Sequence, residues 1–158
     1  GCGTSIYYDG RDLFHNDGSK DVCRDIAYAC RRYDMFGMYE HRDKVYVDGK
    51  NMDNELLADM VRYFRANGIF VGEDVDSDDF EFDKFCCWIP DDNRKVPEFR
   101  EYVSRNFVYI DRGPDFCEIV PKGFSKATGI QYLLDYFDIP LENAYAFGDG
   151  NNDAPMLL

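Results

Sequence analysis

Apolar residues recur at helical spacing in four stretches, and short apolar runs fill the intervals between them. Val22, Ile26, Ala29 and Cys30 share one face of a stretch that Ser19 or Asp21 can cap and that runs to about residue 33. Leu56, Leu57, Met60, Val61 and Phe64 repeat the pattern behind Asp53, the expected cap, and Asn67-Gly68 supplies the stop. Residues 96–105, with Pro97 in the first turn, and residues 126–137, closed by Ile139-Pro140, complete the predicted helices. Residues 36–40, 44–48, 85–89, 107–111 and 116–120 read as strands bounded by Gly, Asp or Pro turns. Ser5-Ile6-Tyr7-Tyr8 adds an opening strand that enters a turn at Asp9-Gly10, and residues 143–147 form a last one.

Two zones follow from this order. Residues 13–120 run helix, two strands, helix, strand, helix, two strands, which predicts an antiparallel-rich sheet with helices on one face. From Lys122 the order is helix, strand, loop, helix, one unit of a parallel α/β sheet, and the opening nonapeptide fits as another strand of that sheet. Residues 73–83 are dense in acid. Asp74, Asp76 and Asp78 imitate a calcium loop, but Asp79 stands where the sharp turn needs glycine and Phe85 where the bidentate Glu belongs, so a solvated loop is expected.

Composition narrows the function classes. An aromatic content of 16% in 158 residues supports a real core and excludes intrinsic disorder. A net charge of −13 argues against nucleic acid and against anionic membrane surfaces as partners. No apolar run approaches the roughly 20 residues that span a bilayer. The six cysteines form no Cys-x-x-Cys pair, and no signal-peptide pattern accompanies them, so reduced thiols in a cytoplasm are expected.

Candidate chemistry lies at the end of the chain. The apolar run 144–147 stops at Gly148-Asp149-Gly150-Asn151-Asn152-Asp153. Open α/β sheets bind ligands at the carboxyl ends of their strands, and carboxylates there suit a hard cation such as Mg²⁺. Upstream, Pro121-Lys122-Gly123-Phe124-Ser125-Lys126 places a lysine at a helix start, an end whose dipole disfavours a cation unless an anion such as phosphate joins it. Metal-binding carboxylates and a phosphate-holding lysine are the parts that phosphoryl transfer needs. Lys122 is expected to face solvent, Asn151 to shape the turn, and Asp153 has a second reading as the cap of the final helix.

At these residues the chain resembles the haloacid dehalogenase-like (HAD) phosphatases, in their Cof-type sugar-phosphatase branch. Residues 118–126 and 147–157 carry the likeness, one helix and one strand apart, and Gly3-Thr4-Ser5-Ile6 looks like the strand that leads into the cap. The resemblance implies an α/β fold: a partial Rossmann-like core at residues 1–12 and 121–158, and between them, at residues 13–120, an inserted α+β cap with a mixed or antiparallel sheet. It implies Mg²⁺ as cofactor and a small phosphorylated metabolite, sugar phosphates foremost, as substrate. Lys126 corresponds to the lysine that steadies nucleophile and substrate phosphate, Asp149 to the metal-binding acid, Asn152 to a phosphate contact and Asp153 to a metal ligand or its support. Tyr39, Tyr46 and Trp88 are candidates for the substrate cleft, with core packing the more ordinary fate, and His41 is expected in an exposed turn.

The family's nucleophile, the first aspartate of an Asp-x-Asp-Gly-Thr motif, has no match. Asp9-Gly10-Arg11 and Asp17-Gly18-Ser19 are the nearest imitations, and both read as turns. The chain therefore reads as part of a larger phosphatase, inactive alone, whose exposed strand edges invite dimerisation or completion by an N-terminal half. The rival reading is a non-catalytic binding or assembly module, or one subunit of a split enzyme.

Overall fold

The computed structural model describes residues 2–16 and 18–157. Its centre is a six-stranded mixed sheet. In chain order it contains β3 (Phe36–His41), β4 (Lys44–Val47), β5 (Phe70–Gly72), β6 (Lys84–Trp88), β7 (Phe107–Asp111) and β8 (Phe116–Pro121), arranged β5-β4-β3-β6-β8-β7. Only β4 and β5 are parallel. The three-residue β5 lacks a pattern long enough to read from sequence. It reaches the sheet edge through a crossover helix, α2 (Glu55–Ala66).

Side-chain alternation divides the core in two. Tyr39, Tyr46, Phe85, Cys87, Cys117 and Ile119 face α1 (Lys20–Arg32) and α3 (Val96–Val103), the arrangement expected for helices on one face. Met38, Val45, Val47, Val71 and Cys86 point the other way, where Leu57 and Val61 of α2 cover them. The third helix thus lies on the opposite face. Asn54 rather than Asp53 caps α2, its side chain accepting the Leu57 N–H, and Leu56 faces solvent as a result.

The acid-dense segment 73–83 is anchored, contrary to the solvated loop expected. Val75, Phe80 and Phe82 are buried among Tyr39 and Phe85. Asp76 pairs with Arg31 at 3.0 Å and Asp78 with Arg24 at 2.7 Å, so the acids complement the arginines of α1. All six cysteines are free and buried, and no helix among the described residues is long and apolar enough to cross a membrane.

The ends of the chain depart further from expectation. Ser5–Tyr8 (β1) pairs antiparallel with Arg11–His15 (β2) instead of joining a parallel sheet. Asp9 and Gly10 both take positive φ (48° and 78°), as a type I′ hairpin turn requires, and this dictates the pairing. The hairpin packs on α4 (Lys126–Tyr136): Phe14 contacts Phe124 and Tyr132, and the Tyr132 hydroxyl donates to the Leu13 carbonyl at 2.9 Å. A Cβ at Gly3 would overlap the Ser125 carbonyl, so glycine permits this close approach. Residues 144–147 form no strand, because no described strand lies beside them to take up their backbone groups; Tyr145 and Phe147 are 86% and 88% exposed.

One polar junction ties the terminal segments to the sheet. Alternation puts Glu40, Lys84 and Glu118 on the face that α2 covers. Lys84 Nζ lies 2.9 Å from Glu40 Oε1 and 2.7 Å from Glu118 Oε1. Glu118 also accepts from the Cys2 thiol (3.1 Å) and from the Asn152 amide (3.0 Å). Burial pushes the Glu118 carboxyl up, but Lys84, the Cys2 thiol and Arg112 outweigh it and hold the carboxyl below its ordinary value of 4.5.

Phe85→Ala removes a fully buried ring in contact with Tyr39, Phe82 and Phe107, and should cost about 3–5 kcal/mol of stability in urea unfolding. A carboxyl with a lowered folded pKa contributes stability that is full above its unfolded value and is lost as pH falls through the folded one. The urea midpoint should therefore fall on acidification below about 4.5, more steeply in the wild type than in Glu118→Gln, which should already be weaker at neutral pH.

Candidate functional site

Lys126 is positioned by the way β8 ends. Gly123 takes a left-handed bend (φ 89°) after the strand, and Ser125 then starts α4 with a reciprocal cap. The Thr128 N–H donates to the Ser125 hydroxyl at 3.2 Å, and the Ser125 N–H donates to the Thr128 hydroxyl at 2.9 Å. Lys126 is thereby fixed as the first helical residue. Its ammonium forms an ion pair with Oδ1 of Asp153.

Asp153 is the pivot of the loop it closes. Its Oδ2 accepts the backbone N–H groups of Asp149 (3.2 Å) and Gly150 (3.0 Å). The Lys126 hydrogen bond, then that of Gly150, hold its carboxyl below the usual carboxylate range. The glycines of the loop have a steric reason: a Cβ at Gly148 would overlap the Asp153 side chain, and one at Gly150 would come within 2.8 Å of Asn152 Oδ1. Asp153 directly precedes α5 (Ala154–Leu157), and its side chain closes the loop through the Asp149 and Gly150 N–H groups.

The expected site residues occupy different situations. Lys126, Asp149 and Asp153 converge, since Asp153 bridges the lysine to the Asp149 backbone. The Asp149 carboxylate is exposed and forms no hydrogen bond or ion pair among the described residues. A free carboxylate on a tight loop fits Mg²⁺, which takes one or two carboxylates and otherwise water and phosphate oxygens. Asp153 fits as support: both of its oxygens are engaged, and a direct metal bond would require release of Lys126 or of the loop N–H groups. Asn152 turns its amide to Glu118 Oε2, on which Arg112 also bears at 3.6 Å. Asn151 donates to the Asp111 carbonyl at 2.6 Å, tying the loop to β7.

A cleft of about 480 Å³ adjoins these groups, lined by Val108, Ile110, Phe124, Lys126, Asn152 and Pro155 among others. Tyr39 and Tyr46 are core residues, and Trp88 packs on Phe116. Lys122 is exposed and donates to the Arg105 carbonyl at 3.1 Å. Asp9 sits exposed at the hairpin tip, and Asp17 lies outside the described residues. Sequence reasoning gave no role to Glu118, although a carboxylate between Cys117 and Ile119 in an otherwise apolar strand was the available signal.

The model of the haloacid dehalogenase-like hydrolase family matches residues 2–158. The chain is 29% identical over 161 residues to the 5-amino-6-(5-phospho-D-ribitylamino)uracil phosphatase YitU of Bacillus subtilis (strain 168), covering 91% of this chain and 54% of YitU. Its fold matches that of the HAD subclass IIB sugar phosphatase BT4131 with a TM-score of 0.77, at 20% identity, covering 99% of this chain and 58% of that one. A crystal structure from Eubacterium rectale also matches with a TM-score of 0.77, at 21% identity, over 98% of this chain and 59% of the other. The chain thus spans somewhat more than half the length of these relatives. With its matching span of 157 residues and a lysine and acidic loop brought together at the sheet's edge, the chain belongs to the haloacid dehalogenase-like hydrolase family.

Proposed function

We propose that the chain supplies the cap and the C-terminal half of the active site of a Mg²⁺-dependent phosphatase for small phosphorylated metabolites, sugar phosphates foremost. The observation that carries this reading is the convergence of Lys126 and the Asp149 loop on Asp153, from positions 27 residues apart. Free buried thiols fit a reducing, cytoplasmic setting.

The residues divide the work by charge. Lys126 holds phosphate oxygens and, relaxed from Asp153, can follow the charge that develops on them. Asp149 offers the carboxylate that would hold Mg²⁺, and Asp153 keeps the loop and the lysine in register. Asn152 reaches the phosphate through its Nδ2 amide, either released from Glu118 or with its second N–H. When bound, Mg²⁺ neutralises phosphoryl charge. The attacking aspartate, which forms the aspartyl-phosphate, lies outside these 158 residues, since they carry no Asp-x-Asp-Gly-Thr.

A second reading, a binding or assembly module or a subunit of a split enzyme, draws on the exposure of Tyr145 and Phe147. Such side chains mark a surface that another chain segment covers.

Binding and turnover separate the readings. Calorimetry should show phosphate binding that tightens with Mg²⁺. Asp149→Asn should remove the Mg²⁺ effect, and Lys126→Met should weaken binding about 10- to 100-fold, the worth of a charge-assisted hydrogen bond. Phosphate binding indifferent to both variants would refute the site. With an aryl phosphate and Mg²⁺, the purified chain should show no turnover; turnover that vanishes in Asp149→Asn would contradict the proposal that the nucleophile lies elsewhere.

A further inference from the structure

The chain contains two histidines, and both point at one carboxylate oxygen. His15 ends β2, His41 ends β3, and Asp83 stands just before β6. His15 Nε2 lies 3.1 Å and His41 Nδ1 lies 3.0 Å from Asp83 Oδ1. The three side chains are 8%, 13% and 5% exposed. His41 is therefore not the exposed turn residue expected from sequence: its strand pairs through position 41 with Lys44, which turns the ring inward.

We propose that His15, His41 and Asp83 form a binding site for a divalent transition-metal ion of the zinc class. Their ligand atoms all lie within 4.8 Å of one another. The two separations from Asp83 are close to the roughly 3.3 Å edge of a tetrahedron with zinc-like bond lengths. Imidazole and carboxylate suit this class of ion, whereas a carboxylate without imidazole, as at Asp149, suits Mg²⁺.

The surroundings orient the ligands as supporting groups at metal sites do. Asp83 Oδ2 accepts the Arg42 N–H at 3.1 Å, which fixes the carboxylate and leaves Oδ1 to the histidines. The other ring nitrogen of His41, Nε2, lies 3.3 Å from Glu81 Oε1. A carboxylate on the far nitrogen fixes the ring and makes the near one a better ligand. An ion here would bind the neutral rings through His15 Nε2 and His41 Nδ1, each ring keeping its one proton on the far nitrogen, where Glu81 faces that of His41. Three protein ligands leave a fourth position for water.

The site has a structural consequence. His15 belongs to the hairpin packed on α4, whereas His41, Glu81 and Asp83 belong to the central sheet. One ion would fasten hairpin to sheet across the connection that leads into α1, and so set how the sheet sits over Lys126.

This inference is independent of the phosphatase reading, and its test does not use activity. The purified chain, stripped with chelator and supplied with Zn²⁺, should retain one equivalent through gel filtration and unfold at a higher temperature. Co²⁺ in its place should give the visible bands of a tetrahedral site. His15→Gln and His41→Gln should each lose the bands and the thermal shift, while Asp149→Asn keeps both. In the wild-type chain, ¹⁵N spectra should show Zn²⁺ moving the signals of His15 Nε2 and His41 Nδ1, a readout that survives any misfolding of the variants. Absence of retained zinc, or zinc retained with both ring signals unmoved, would overturn the proposal.

Discussion

The carboxylate of Asp153 is the constraint on which the rest of the site depends. One oxygen holds Lys126 and the other holds two N–H groups of the loop that presents Asp149. A lysine at a helix start is electrostatically misplaced, and an acidic loop repels itself. Each is tolerated because Asp153 sets them against each other. In the proposed function an incoming phosphate would take over the ammonium, and a cation would take the Asp149 carboxylate, which has no partner among the described residues. The family match over residues 2–158 includes both the lysine and the loop.

Glu118 does for the architecture what Asp153 does for the loop. Strand alternation places it on the polar row of a sheet whose neighbouring positions are apolar, and there it meets Lys84 from β6, Cys2 from the first described residues and Asn152 from the last loop. A buried ion pair is seldom a large net source of stability. Its worth here lies in register, because it admits one placement of the terminal segments on the sheet. The aromatic core on the opposite face, Tyr39, Phe80, Phe82 and Phe85, supplies the apolar burial that makes the sheet rigid enough to hold that register.

Much of this was legible in the sequence. Helical periodicity located α1, α2, α3 and α4, and the turn residues located five of the six central strands, because both signals are local. Glycine, aspartate and lysine at fixed offsets marked the loop and the helix start. What escaped was non-local. The short β5 owes its existence to its neighbour β4. The β1–β2 hairpin was hidden by polar residues in β2 and is set by the positive φ of Asp9 and Gly10. Residues 144–147 have strand composition and no strand partner, so propensity alone misread them. The engagement of Asn152 by Glu118, and the meeting of His15 with His41, join positions far apart in sequence that no periodicity connects.

The central claim is that one ion and one phosphoryl group meet between Lys126 and Asp149. The most direct measurement is paramagnetic broadening of the amide spectrum by Mn²⁺ standing in for Mg²⁺, with and without inorganic phosphate. The account predicts broadening centred on residues 148–153, extending to residues 123–128, and sharpened in its concentration dependence when phosphate is present. Broadening confined to the acidic segment 73–83, or unaffected by phosphate, would contradict it.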